Sequence, residues 1–207
     1  MRAEYENVLD DHLGKIHFTY VNTWDELLPA HWHEHLEIIY VLGGEITASI
    51  NDVSYELKKG DIFLVNSNDI HYTHTHEDAR YYLLQIPPVH LERISAKWKG
   101  LKFQEFIRSK SADACVQGEQ LETVQEKGIV EMRENQKSIN RADDLYDQLR
   151  DVFRKIAGFY KEKKEGYHLL VLSAVYRLLY FLYTEGIRSK EDTETAHGTL
   201  RDLERMK

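Results

Sequence analysis

Only one cysteine, Cys115, occurs in the 207 residues. A single thiol builds neither an internal disulfide framework nor a cysteine-rich zinc site, and it suits a reducing cytoplasm. No neighbouring motif marks Cys115 as a catalytic nucleophile. Proline is also scarce, at three residues, while hydrophobic residues make up 42% of the chain. That composition excludes a disordered, proline-rich chain and supplies enough apolar side chains for a core. Positive charge is in short supply as well: 27 Lys and Arg face 35 Asp and Glu, for a net charge of −8. A surface that grips phosphates carries a basic face, and no basic run is present, so these residues are not expected to touch nucleic acid themselves. No apolar leader is expected, because Met1 to Asp11 is polar and charged. The longest greasy run, His168 to Tyr183, is shorter than the ~20 residues of a bilayer span. It also carries Arg177 at its middle, so no membrane contact is expected.

What is present divides into two halves of different period. Leu36 to Leu42, LEIIYVL, is rich in β-branched and aromatic residues and reads as a strand. Gly43-Gly44 is expected to turn the chain as a hairpin. From Glu45 to Ile50 the pattern alternates, with Ile46, Ala48 and Ile50 on one face. Asn51-Asp52 and Lys58 to Asp61 are further turn signals around Val53 to Leu57. Ile62 to Val65 and Tyr81 to Ile86 complete the strands, the latter stopped by Pro87-Pro88. Short strands with turns every 8–12 residues indicate a sandwich or barrel, placed here at about residues 12–88 behind an N-terminal arm.

After Pro88 the period becomes helical. A short helix is expected from Pro88 to Ser95, then short helices and loops from Lys97 to Arg141. Leu145, Leu149, Val152, Ile156 and Phe159 recur at spacings of four and three, which predicts a helix from Asp143 to Lys163. Asp143-Asp144 would then complement the dipole at its start, rather than form a catalytic carboxylate pair. A second helix is predicted from Tyr167 to Glu185. It carries two apolar stripes, Leu172, Val175, Leu179 and Leu182 on one and Val171, Ala174, Leu178 and Phe181 on the other. One stripe should meet the preceding helix, and the other should meet the barrel or a second copy of the chain. The set assigned to dimerisation is Leu145, Leu149, Val152, Ile156, Leu172, Val175, Leu179 and Leu182. Ile187 to Thr199 reads as a linker, and Leu200 to Lys207 opens a new helical period.

Six of the eleven histidines fall in two clusters, His31-Trp32-His33-Glu34-His35 and His71-Tyr72-Thr73-His74-Thr75-His76. In a regular strand, His31, His33, His35 and Glu37 share a face. Neutral imidazole and ionised carboxylate suit divalent first-row metals near pH 7. Glu37 stands out because a carboxylate in an apolar strand is costly unless paired. His35, His74 and His76 read as rim positions, and Trp24 and Trp98 as packing residues.

The pattern His31-x-His33-x3-Glu37-x6-Gly44 resembles the first cupin motif, and Gly60-x5-Asn66-x-Asn68-x2-His71 is similar to the second. It differs from the usual pattern at Asn66 (proline), Asn68 (glycine), Thr75 (asparagine) and Asp25 (glycine). The whole run from His31 to His74 resembles the N-terminal sensor domain of AraC-type transcription regulators. The resemblance implies a mainly β fold with an α appendage: a cupin jelly-roll barrel over 1–92, a two-helix antiparallel dimerisation hairpin within 93–186, and a linker over 187–207 leading to a helix-turn-helix domain beyond this chain. It implies a small-molecule effector in the barrel, carbohydrate being one class, with homodimerisation through the helices and DNA contact only through that further domain.

The resemblance places effector contacts at His31, Trp32, His33, Glu37, His71 and Tyr72. It places metal ligands, for Zn, Ni, Fe or Mn, at His31, His33, Glu37 and His71. No cofactor is required by this reading. The histidines are open to three uses: metal binding, direct effector contact, or a structural role in the barrel mouth. The principal reading is a cytoplasmic sensor module without catalysis. The alternative is a cupin metalloenzyme, a dioxygenase or isomerase, using the same four ligands.

Overall fold

The computed structural model describes residues 3–8, 16–94, 101–108 and 128–185. Cys115, Trp98 and the stretch Leu200–Lys207 lie outside them, as do the linker residues 187–199. The chain divides into two compact units, Met1–Phe106 with the C-terminal residues Gly186–Lys207, and Ile107–Glu185. The first unit therefore runs past residue 92, because Leu64 N–H donates to Glu105 O and Asn66 holds Phe103 on both backbone groups.

The first unit is built on two long strands. β1 is Glu4–Tyr5, β2 His17–Trp24, β3 Leu27–Trp32, β4 Leu36–Ile50, β5 Val53–Leu57, β6 Ile62–Val65 and β7 His71–Ile86; a two-residue β8, Phe106–Ile107, closes the sheet order β1-β3-β7-β4-β6-β8. β4 and β7 are antiparallel along their whole length. The first half of β4 and the second half of β7 recruit β6 and β2, while the other halves recruit β5 and β3. Two sheets sharing two strands give the expected jelly roll. Its interior row runs Glu37, Ile39 and Val41, then Ile46, Ala48 and Ile50 on β4. Ile39, Val41, Ile46, Ala48 and Ile50 belong to one buried cluster with Leu57, Phe63, Val65, Ala79 and Tyr81, drawn from both sheets.

The Gly43-Gly44 pair is not a hairpin turn. β4 passes straight through it, with register shifts against β7 on either side of Gly43. The glycines form a bulge, which explains why the inward positions are odd before it and even after it. Gly44 has φ of 76°, and a Cβ there would lie 2.4 Å from Asp78 O, so only glycine fits. The hairpin comes instead at Asn51-Asp52, with φ of 47° and 70°, as a primed turn between β4 and β5 requires. β7 also begins ten residues earlier than expected, so the second histidine cluster is strand rather than loop. Trp24 is 71% exposed and is no packing residue.

The helical elements are α1, Pro88–Ile94, and the pair α2, Gly128–Glu162, and α3, Tyr167–Glu185. α2 starts well before Asp143, so Asp143-Asp144 lies inside the helix and caps nothing; 128–141 is continuous helix, not short pieces. Lys163 at φ 44° and Gly166 at φ 78° fold the four-residue connection that returns α3 along α2. Leu145, Leu149, Val152 and Ile156 on α2 and Val175, Leu179 and Leu182 on α3 are buried within the single chain. Leu172 is half-buried. The face of α3 left open carries Leu169, Leu170, Tyr176, Tyr180 and Tyr183. Among the described residues, no helix is long and apolar enough to cross a membrane.

Candidate functional site

Three imidazoles converge at one end of the β unit. His31 is the next-to-last residue of β3, and its Cα partner across the ladder is His71, the first residue of β7. The His31 and His71 rings lie 4.1 Å apart, and the His33 and His71 rings 4.9 Å. One ligand atom from each of the three lies within 4.8 Å of the others. The strand is not regular here: it ends at Trp32, and the chain bends at Glu34-His35 before β4 begins. His33 joins the cluster because its carbonyl accepts from Asn68 N–H, which ties the bend to the turn before β7. His35 is not part of the three-imidazole group.

Glu37 lies beside them as the first polar residue of the interior row. Its Oε2 is 3.0 Å from His33 Nε2 and accepts from Gln85 Nε2 at 2.8 Å, and its Oε1 is 3.9 Å from His71 Nε2. Gln85 is its cross-strand partner on β7. Burial alone would raise the Glu37 pKa, but the His33 hydrogen bond, the nearby imidazoles and Gln85 outweigh it and bring it down to about 2. Burial likewise pushes His33 down, yet the hydrogen bond and charge of Glu37 and the charge of Glu6 raise it above 6.5. Burial dominates at His71, aided by its imidazole neighbours, and lowers it to about 4. At neutral pH the site thus holds an ionised Glu37 and a neutral His71, beside a His33 whose pKa is raised by that carboxylate.

The proton positions follow from the partners. His71 Nδ1 is 3.0 Å from Asp69 O and His31 Nδ1 is 2.8 Å from Pro29 O, and a carbonyl only accepts. Both rings therefore carry hydrogen on Nδ1, and the neutral His71 ring keeps its lone pair on Nε2. Among the described residues, His71 Nε2 is buried and has no hydrogen-bond partner. A buried lone pair without a donor is costly unless an ion or ligand takes it up. Backbone carbonyls behind Nδ1 also fix the ring orientation that metal-ligating histidines show.

Three neighbours carried no motif. Glu6 follows β1, which pairs with β3, and its Oε2 stands 3.7 Å from His31 Nε2 and 3.8 Å from His33 Nε2. Tyr81 faces inward on β7; burial, with the Glu37 charge, raises its pKa to about 12, which keeps the hydroxyl protonated. Gln85 was detectable in principle as the polar residue in YYLLQI, as Glu37 was in LEIIYVL. Glu6 had no local signal. Strand alternation places Tyr72 on the face of β7 opposite His71. Trp32 is buried and meets Tyr5 edge-on at 4.9 Å.

Residues 14–179 match the family described as AraC-like ligand binding domain. The chain belongs to that family. A 63-residue stretch of this AraC-like ligand binding domain is 30% identical to an uncharacterized HTH-type transcriptional regulator, YdeC of Bacillus subtilis, covering 30% of this chain and 22% of that protein. The matched stretch thus spans about a fifth of the relative's length. Among solved structures, an RmlC-like cupin from Shewanella frigidimarina is 20% identical over 35% of this chain and 66% of its own, with a TM-score of 0.33. A Bacillus subtilis oxalate decarboxylase, studied for its Mn(II) centres, is likewise 20% identical over 35% of this chain and 21% of its own, TM-score 0.33. Likeness at that level says nothing of chemistry.

The four departures from the cupin pattern have local explanations. Asp25 and Asn68 stand where glycine is usual, and both have positive φ, 44° and 65°. Asp and Asn are the side-chain-bearing residues that most readily adopt that conformation. Asn66, in place of proline, is the residue that clamps Phe103. Thr75 exchanges three hydrogen bonds with Glu26, anchoring the turn between β2 and β3.

Proposed function

We propose that this AraC-like ligand binding domain is the small-molecule-sensing module of a transcription regulator, and that its sensing site is the group His31, His33, Glu37 and His71. The observation that carries the site is the buried Nε2 lone pair of His71, without a partner among the described residues, grouped with the His31 and His33 imidazoles beside an ionised Glu37. The donor set, three imidazoles and a carboxylate, fits a divalent first-row ion. Bound there, the ion would offer open positions to an oxygen-bearing effector, of which carbohydrate is one class. Gln85 orients Glu37, and the Tyr81 hydroxyl remains a hydrogen-bond donor in the same interior row.

A sensor needs a ligand that prefers one of two states. Glu6 supplies a contact that such a ligand would change, since its carboxylate sits against His31 and His33. The regulator's DNA contact would lie in a domain outside this chain. A pairing of two copies would use the open face of α3, because the apolar residues between the helices are already buried. Tyr180→Asp is then expected to halve the mass in sedimentation, with helicity retained; an unchanged mass contradicts it. The metalloenzyme reading uses the same ligands and requires turnover in addition to binding.

The test is a thermal-shift titration with Zn, Ni, Fe and Mn ions, then with sugars, on the wild type and His71→Gln. An ion at one hundred times its Kd should stabilise the wild type by about 2.7 kcal/mol. His71→Gln should lose most of that gain. An equal gain in both proteins removes the site assignment.

A further inference from the structure

On the outer face of the same strand stands a second donor group: Asp25, His74 and His76, with one ligand atom from each within 4.8 Å of the others. We infer that it is a second divalent-metal site, independent of the interior group and open to solvent. His74 and His76 are two residues apart on β7, so they share a face, the one opposite His71, Thr73 and Thr75. Their rings are 4.2 Å apart. Asp25 arrives from the turn between β2 and β3, its backbone at φ 44°, and its Oδ1 is 3.0 Å from His74 Nε2.

The turn is held in place without an ion. Thr75 N–H donates to Glu26 O at 2.9 Å, and Glu26 N–H donates to Thr75 Oγ1 at 3.0 Å. The backbone that carries the carboxylate is therefore held against the strand that carries the two imidazoles by bonds in which neither Asp25 nor the histidines take part. Such preorganisation is what a metal site needs from its scaffold.

The ring protons point the same way. Thr47 on β4, the Cα partner of His74, donates its single hydroxyl hydrogen to the Glu56 carboxylate, at 3.1 and 3.2 Å. His76 Nε2 lies 2.8 Å from that hydroxyl oxygen, so Nε2 must be the donor. The lone pair of His76 is then on Nδ1, and Thr47 and Glu56 form the supporting chain behind a ligand histidine. At His74, the proton shared with Asp25 is the one an ion would replace. Two imidazoles and a carboxylate select a borderline ion of the Zn, Co, Ni or Cu class over Ca or Mg. Side-chain exposures of 35% for His74 and 67% for Asp25 leave it an entry path. An ion here would pin the start of β3 to β7; the other end of β3 carries His31.

Equilibrium dialysis of the 207-residue chain against Zn, with metal counted by plasma mass spectrometry, tests this. The wild type should hold one equivalent more than His74→Gln/His76→Gln, whose fold is checked by circular dichroism. Asp25→Asn should keep the count but weaken the affinity about tenfold or more. The same count in the wild type and the double variant overturns the site, as does no zinc in the wild type. Unchanged affinity in Asp25→Asn overturns the carboxylate's part. Because this comparison leaves His31, His33 and His71 intact, it stands or falls separately from the interior site.

Discussion

His71 and His74 are three residues apart on one strand, and they differ in almost every property that matters for binding. His71 is sealed inside, 2% exposed, beside a buried carboxylate that holds its charge at neutral pH. His74 is half-exposed, beside a carboxylate open to water. Both groups contain imidazoles and an acid, so residue type does not separate them. What separates them is the face of β7 and the shielding that comes with it. Inside, the charges interact through a low-dielectric medium, pKa values depart from their ordinary range and a missing partner is expensive. Outside, water screens the same contacts, and they contribute little without an ion.

The sharpest way to break this comparison is to remove the acid from each group. Glu37→Ala leaves the His33 imidazole buried without its carboxylate and should cost about 3–5 kcal/mol in urea denaturation at pH 7. Asp25→Ala should cost about 1 kcal/mol or less in the same experiment. Similar losses at both positions would show that burial does not distinguish them.

Acid titration gives the next largest effect. The metal-free chain binds fewer protons at Glu37 and His71 than its unfolded form does. The stability from His71 is present above pH 6.5 and is lost as pH falls towards about 4; that from Glu37 is present above pH 4.5 and is lost towards about 2. His33 has the opposite sign: its contribution is complete below pH 6.5 and is lost as pH rises through its raised value. Wild type should therefore lose stability on acidification from pH 6.5, and His71→Gln should lose less over pH 6.5–4. An identical slope in the two proteins would contradict the shifted His71. The smallest effect is expected at the rim, where His76→Ala should change metal-free stability by about 0.5 kcal/mol or less.

Much of this was legible in the sequence because two patterns are strong. The alternation of Ile46, Ala48 and Ile50 and the helical stripe from Leu145 to Ile156 depend only on which side chains are buried, and both appear as expected. The motif spacing brought His31, His33 and His71 to one place. The misreadings have physical causes too. Gly43-Gly44 looks like a turn locally, but pairing with β7 on both sides carries the strand through it as a bulge. The polar HYTHTHEDAR gave no strand signal, since one face of β7 is open to solvent there and Thr and His fill both faces. The helical stripe was correct about burial, but its assignment to dimerisation did not follow from the spacing, because a helix hairpin and a dimer seam need the same apolar repeat. Glu6 reaches the site through strand pairing with β3, a contact between distant segments that no local pattern encodes.

The most direct test of the interior site is its metal content after zinc loading and exhaustive dialysis, measured in the His74→Gln/His76→Gln background with and without His31→Ala/His33→Ala. Near one equivalent retained by the first protein, and none by the second when both are folded, is the predicted result. Equal retention in the two, or none in either, would contradict an ion-holding group at His31, His33, Glu37 and His71.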